Sequence, residues 1–564
     1  MPQVRARTVS SELQQRLIAD GMSELEARLY AARGIASPIE LEHEFKHLLP
    51  FTSMKGIAAA AKRLADAIAK RERLLIVADY DADGATACSV GLKGLAMLGA
   101  VVDFVVPNRF EYGYGLTPEI VELAATKSPD LIVTVDNGIA SVAGVAAAKA
   151  RGIDILVTDH HLPGDVLPDC LIVNPNQPGC EFPSKNLAGV GVMFYVLLAL
   201  RAELRERGAF ASATEPNLAT LLDLVALGTV ADVVKLDANN RILVEQGLKR
   251  MRAGRASAGV MALFQAAGRN PAKASCFDLG FTLGPRLNAA GRLDDMSFGI
   301  ACLLSTSEDD ALPRARELDQ LNRARRDIEA GMREEAEIAL KSIAVEANYC
   351  IALYRPDWHQ GVIGIVASRV KERYNRPTIV FADASETEIK GSGRSIPGLH
   401  LRDALDLVSK RHPDLIVKFG GHAMAAGLSL RPDDFGRFQA AFETVCRELM
   451  DESALERIIE TDGELSAGDF SFATAERIEK QVWGQGFPAP LFQGHFRVLE
   501  QRVVGERHLK VKLANDHGMV LDGIRFQHPD PLPRDVQAAY SLSVNEFRGE
   551  RILQVMLDYV EASA

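Results

Sequence analysis

No apolar run in this 564-residue chain approaches the roughly 18 residues that a membrane-spanning helix needs, so no anchor is expected. The N-terminus, MPQVRARTVSSELQQRLIADG, lacks the unbroken apolar core of a secretory signal, which points to a cytoplasmic protein. Cysteine is sparse: seven residues, at 88, 170, 180, 276, 302, 350 and 446, with an odd total and no CxxC pair. That excludes a disulfide framework or a thiolate zinc ribbon and leaves reduced, buried thiols. An excess of basic charge is also missing, since Lys+Arg is 64 against Asp+Glu 75, a net −11. The chain is therefore not coated in basic surface. Nucleic acid stays open as a partner, because bound cations offset carboxylates while arginines cluster locally. Internal repeats and low-complexity linkers are absent as well, which excludes a solenoid.

What is present is the length of several domains. Residues 1–45 read as a helical segment without recognisable chemistry. From 46 to 305, short β-branched runs alternate with Ala-rich helical stretches: LLIVAD (74–79), VVDFVVP (101–107), LIVTVD (131–136), IDILVTD (153–159) and CLIVN (170–174). Near-continuous apolar strands separated by helices predict a parallel α/β sheet covered on both faces. Residues 306–346 are polar and rich in helix formers, as expected of a connecting helix, with Pro313 a site for a kink near its start. Apolar strands and helices resume over 347–452, a second α/β unit. Over 453–564 the texture becomes β-rich, and the alternation in HLKVKL predicts a small barrel of OB type.

The chemistry gathers at the ends of the apolar runs. Asp79, Asp81 and Asp83 follow LLIVA, with Gly84 allowing a tight entry into the next helix; Asp136 ends the following core run; Asp159, His160 and His161 end the one after. In an open parallel sheet these positions face the ligand crevice. A single Asp there commonly caps a helix. The ensemble, oxygen and imidazole without thiolate, suits Mn²⁺ or Mg²⁺. Asp232 in LGTVADV is ambiguous by itself, a loop residue or a further ligand.

These segments resemble the DHH phosphoesterase superfamily, whose Asp-His-His motif is matched by Asp159, His160 and His161. DYDADG, PNRFEYGYGLT, TVDNGI, TDHHLPG, NPNQ, LAGVGV, LGTVADVV, GPRLNAAGR, WHQGVIGIVASR and GGHAMAAG follow in the order of its RecJ family, single-strand-specific 5′→3′ DNA exonucleases. The resemblance implies a DHH catalytic domain (46–305), a DHHA1 substrate-binding domain (347–452) and an OB nucleic-acid-binding domain (453–564). It implies Asp81, Asp83, Asp136, His160 and Asp232 as ligands of two divalent cations, with Asp136 bridging, and Asp79, Asp159 and His161 as supporting or catalytic groups. Single-stranded DNA is the implied substrate, with single-strand-binding protein and a helicase as partners and no membrane.

Candidates for holding the strand are Arg109, Tyr114, Arg286 and Asn288, and in the second unit Ser392, Arg394, Gly421 and His422. Glycines there expose backbone N–H groups to an anion, or simply make turns. Arg109 and Arg286 suit a phosphate or a structural carboxylate equally. Phe110, Tyr112 and Tyr114 are placed to stack on bases or to pack in a core, whereas Arg323, Arg325 and Arg326 read as a solvated helix face. His43, His47 and His412 carry no expected catalytic role, and His359 is left between binding and packing. Two other readings stand beside the exonuclease: a phosphodiesterase for short oligonucleotides or cyclic dinucleotides, and a non-catalytic single-strand-binding scaffold.

Overall fold

The structure is a computed structural model and describes residues 2–108, 112, 115–211, 214–341, 345–547 and 549–563. The chain divides into two compact units, Ala6–Gln320 with Glu460–Ala564, and Met1–Arg5 with Leu321–Ile459. No helix among the described residues is long and apolar enough to cross a membrane.

In the larger unit the apolar runs form five parallel strands. Arg73–Ala78 lies between Val101–Val105 on one side and Leu131–Val135 on the other, followed outward by Asp154–Thr158 and Leu171–Val173. Strand Leu131–Val135 is buried at every residue, as continuous apolar sequence demands. The helix Ala82–Met97 is buried along most of its length against the helices Gly189–Glu206 and Leu222–Ala231, which explains its lack of a polar face.

The same unit contains a closed five-stranded barrel: Phe492–Val504, His508–Asn515, Val520–Arg525, Glu550–Ala562 and Asp535–Phe547, in that order around it. The barrel core is not made by residues 453–564 alone. Leu25 and Leu29, from the helix Glu24–Ala31, lie in one cluster with Phe470, Phe492, Phe496, Val536 and Tyr540. Arg33 pairs there with Asp462 at 2.8 Å, both side chains excluded from solvent. The N-terminal segment, silent in chemistry, thus adds to the barrel's core.

In the smaller unit the sheet is mixed. Its order is Lys418–Gly421, Ala425–Leu430, Ile389–Arg394, Thr378–Asp383, Ile351–Tyr354, with only the last pair parallel. GSGR, expected as part of a Gly-rich turn, is strand. Gly391 and Gly393 are inward positions there, because a Cβ on Gly391 would lie 2.4 Å from the Phe381 ring and one on Gly393 2.8 Å from Leu401. The polar helix runs unbroken over Glu308–Lys341 with Pro313 inside it, and the division between the units falls within it. Arg323 and Arg326 are exposed, but Arg325 is half-buried and bonds Glu329 and Asn322.

Candidate active site

Strand register builds the site. Ala78 pairs with Val135, Val135 with Thr158, and Thr158 with Val173, so Asp79, Asp136, Asp159 and Asn174 are the next residues out on four adjacent strands. The ladder extends one step further, Asp136 N donating to Thr158 O and Asp159 N to Val173 O, each at 3.1 Å. From the strand Arg73–Ala78 the chain leaves first to one side and later to the other, and the crevice where that order reverses lies between Asp79 and Asp136.

Each side chain is held by local chemistry. Asp136 sits at φ 62, a left-handed conformation that a non-glycine residue adopts at a cost. Gly189 permits this by proximity, since a Cβ there would lie 2.6 Å from the Asp136 Cβ. Gly189 N and Val190 N, at the start of the helix Gly189–Glu206, donate to the two oxygens of Asp83 at 2.6 and 2.9 Å. Asp81 caps its own helix through the N–H groups of Asp83 and Gly84. Asp232 ends the helix Leu222–Ala231, where the chain turns through Val233 at φ 64.

The imidazoles are equally fixed. His160 Nε2 lies 3.1 Å from Asp136 Oδ1 and 3.6 Å from Asp232 Oδ2. Asp159 is buried and accepts from Ile139 N, His160 N, His161 N and His161 Nδ1. It orients the histidines and faces no open space, which makes it a positioning group. Asn174 and Asn176 donate to the carbonyls of His161 and His160. Those asparagines, with Gly189 and Val190, carry structural roles at the site that motif reading did not assign. Their signal lay in NPNQ and LAGVGV, where no side chain suggests chemistry.

Potential ligand atoms of Asp136, His160 and His161, of Asp83, His160 and Asp232, and of Asp79, Asp81 and Asp136 each gather within 4.8 Å. Without a cation this arrangement is costly. Burial, then the Asp81 carboxylate, pushes Asp83 up to about 7. Asp136 is raised well above the usual carboxylate range by burial and then by Asp83, Asp81 and Asp232. Asp232 is raised by burial and then by Asp83 and Asp81. A divalent cation reverses that repulsion, and the all-oxygen-and-imidazole set fits a hard one. Burial opposes charge on His161, yet the bond and charge of Asp159 outweigh it and raise the histidine.

The expected strand-binding residues separate into three groups. Arg109 and Tyr114, with Phe110, lie outside the described residues. Arg286 and Asn288 share the helix Gly284–Leu293 beside the site. Arg286 is buried against Asp319 at 2.7 Å, a carboxylate partner, and Asn288 Oδ1 accepts from Ala82 N at 2.8 Å. Ser392 and Arg394 stand two apart on one face of their strand, with Arg394 Nη1 donating to Ser392 Oγ. Gly421, at φ 141, ends the neighbouring hairpin strand, and His422 N closes the turn on Ala425 O. Ala425 is opposite Arg394 across the ladder, so the four residues occupy one end of the mixed sheet.

Family models fit three stretches in order: the DHH family N-terminal domain over residues 73–229, the DHHA1 domain over 346–448 and the RecJ OB domain over 461–559. The single-stranded-DNA-specific exonuclease RecJ of Salmonella typhimurium is 52% identical over 545 residues, 94% of each chain. The chain belongs to the RecJ family. Among solved structures, RecJ of Thermus thermophilus with Mn²⁺ matches at TM-score 0.83 and 30% identity, covering 100% of this chain and 80% of that one. The same protein with Mg²⁺ matches at TM-score 0.78 and 28% identity, covering 100% and 79%. The RecJ likeness extends through the barrel, which the OB model describes, and the cations in those two structures agree with the hard-ligand character found here.

Proposed function

We propose that this chain is a metal-dependent exonuclease that removes mononucleotides from the 5′ end of single-stranded DNA in repair and recombination. The observation that carries the chemistry is the gathering of Asp79, Asp81, Asp83, Asp136, His160, His161 and Asp232 into three overlapping triplets, each with its ligand atoms within 4.8 Å of one another. Asp81, Asp83, Asp136, His160 and Asp232 are the residues that would hold two divalent cations, Mn²⁺ in preference to Mg²⁺. Bound there, the cations supply hydroxide near neutral pH and stabilise charge on the phosphoryl oxygens.

The chain's own groups do the rest. His161, turned by its Nδ1 bond to Asp159, presents Nε2 to an oxygen of the scissile phosphate or the leaving group. Ser392, Arg394, Gly421 and His422 offer backbone and side-chain donors to the terminal phosphate, which would give the 5′ polarity. Lys510 and Lys512 on the barrel add salt-sensitive grip on the strand. A consumer of single strands needs a supplier, so a helicase and single-strand-binding protein are the companions expected of it, in the cytoplasm.

The test is manganese-dependent digestion of 5′-labelled single strands, beside 3′-labelled, duplex and RNA substrates. Early release of the 5′ label as mononucleotide from single-stranded DNA supports the reading. Preferential turnover of cyclic dinucleotides or two- to three-nucleotide fragments would replace it with the phosphodiesterase. Tight strand binding without cleavage in any divalent cation would replace it with the scaffold.

A further inference from the structure

We infer that Asn288 is a positioning residue for the metal loop: its amide oxygen fixes the Ala82 backbone and thereby the aim of Asp81 and Asp83. The inference rests on the metal reading above. It departs from the strand-contact role that the motif suggested.

The first turn of a helix has N–H groups with no partner inside the helix. In the helix Ala82–Met97, Asp83 N and Gly84 N are capped by Asp81 Oδ1, and Ala85 N already bonds Asp81 O. The N–H of Ala82 receives its acceptor from elsewhere, from Asn288, 206 residues later in the chain. Ala82 is the residue between the two carboxylates, so a shift of its peptide plane turns Asp81 and Asp83 together. Asp81 Oδ1 is itself part of the cap, which couples its side chain to the same backbone.

A second contact from the same helix meets the loop just before Asp81. A Cβ on Gly291, three residues after Asn288, would lie 1.9 Å from the Tyr80 carbonyl oxygen. Only a glycine lets the helix Gly284–Leu293 approach the loop so closely. That helix is anchored in turn by the buried Arg286–Asp319 pair and by Arg286 Nη1 donating to Thr282 O. Tyr80 and Ala82 are thus both held, and Asp81 stands between them.

The experiment titrates Mn²⁺ into the full chain without DNA, by calorimetry, for wild type, Asn288→Leu and Asn288→Asp. Single-strand affinity is measured in parallel in chelator. Leucine keeps the bulk and removes the acceptor, whereas aspartate keeps an oxygen for the Ala82 N–H. Losing such an outer partner weakens metal binding about 10- to 100-fold. That loss is expected for Asn288→Leu, with Asn288→Asp binding Mn²⁺ at least as tightly as wild type and strand affinity in chelator unchanged in both. Equal Mn²⁺ affinity in wild type and Asn288→Leu overturns the inference. So does a fall in chelator-state strand affinity matching the fall for Mn²⁺. Should the leucine variant not fold, weaker Mn²⁺ binding by folded Asn288→Asp overturns it. A wild-type chain that takes up no Mn²⁺ would instead remove the metal reading itself.

Discussion

In the parallel sheet of residues 73–173, the candidate chemistry stands beyond the last ladder pairs, where Asp79, Asp136 and Asp159 emerge from three adjacent strands. In the mixed sheet of residues 351–430, Ser392 and Arg394 stand inside a strand, paired on both sides. The first arrangement brings like charges together at a cost, visible in the raised Asp83, Asp136 and Asp232. The second spaces neutral and cationic donors along a ladder that is stable without a ligand. Parallel strand ends suit a site completed by a cation, and a ladder suits a surface that holds an anion.

The largest break in that contrast is expected from Asp136→Ala. Removing the group shared by two of the ligand clusters should cut hydrolysis by about 10³-fold or more, several kcal/mol of lost charge stabilisation. Single-strand binding and the melting temperature should change little. Product release timed on a 5′-labelled strand checks it, and activity within tenfold of wild type would place the chemistry elsewhere.

A matched pair of glycines sharpens the comparison. Gly189→Ala puts a methyl against Asp136 and should lower kcat about 10²-fold, the scale of an ångström of misplacement at a reacting group. Gly391→Ala puts one against Phe381, and should lower stability by about 1–3 kcal/mol with kcat retained. Denaturant melts and steady-state kinetics on both variants would expose a reversal. In the barrel, Arg33→Ala removes two hydrogen bonds from the buried Asp462, leaving it Arg7 at 3.9 Å and the Leu491 N–H, and should cost about 1.5–3 kcal/mol of stability, read from the same melts. The smallest effect is expected from Lys510→Ala with Lys512→Ala: a modest loss of strand affinity, and a salt slope shallower by up to about 1.4, the single-strand value for two phosphate contacts. An unchanged slope would take those lysines off the strand's path.

Much of this was legible in the residues because strand-end carboxylates follow apolar runs at positions that periodicity fixes. The five strands over 73–173 lie within two residues of the runs that announced them. The site was harder to read where its parts are supplied by backbone. Nothing in the identities of Gly189 and Val190 announces two N–H donors to Asp83, because that contact depends on where a helix begins. GSGR looked like a turn, since glycine favours turns, but is strand, paired on both sides, and its glycines stand where Phe381 and Leu401 leave no room for side chains. The N-terminal helices showed no link to the barrel, because an interface between segments some four hundred residues apart has no local pattern; Arg28 reaches the carbonyl of Glu464 across a separation of 436.

That separation has a consequence during synthesis. The helix Glu24–Ala31 leaves the ribosome more than four hundred residues ahead of the segments that cover Leu25 and Leu29. At about 5–20 residues per second, the apolar face waits roughly 25–105 seconds for the whole of its partner. The nascent chain therefore carries an uncovered apolar face, open to premature association, until the barrel strands have been made.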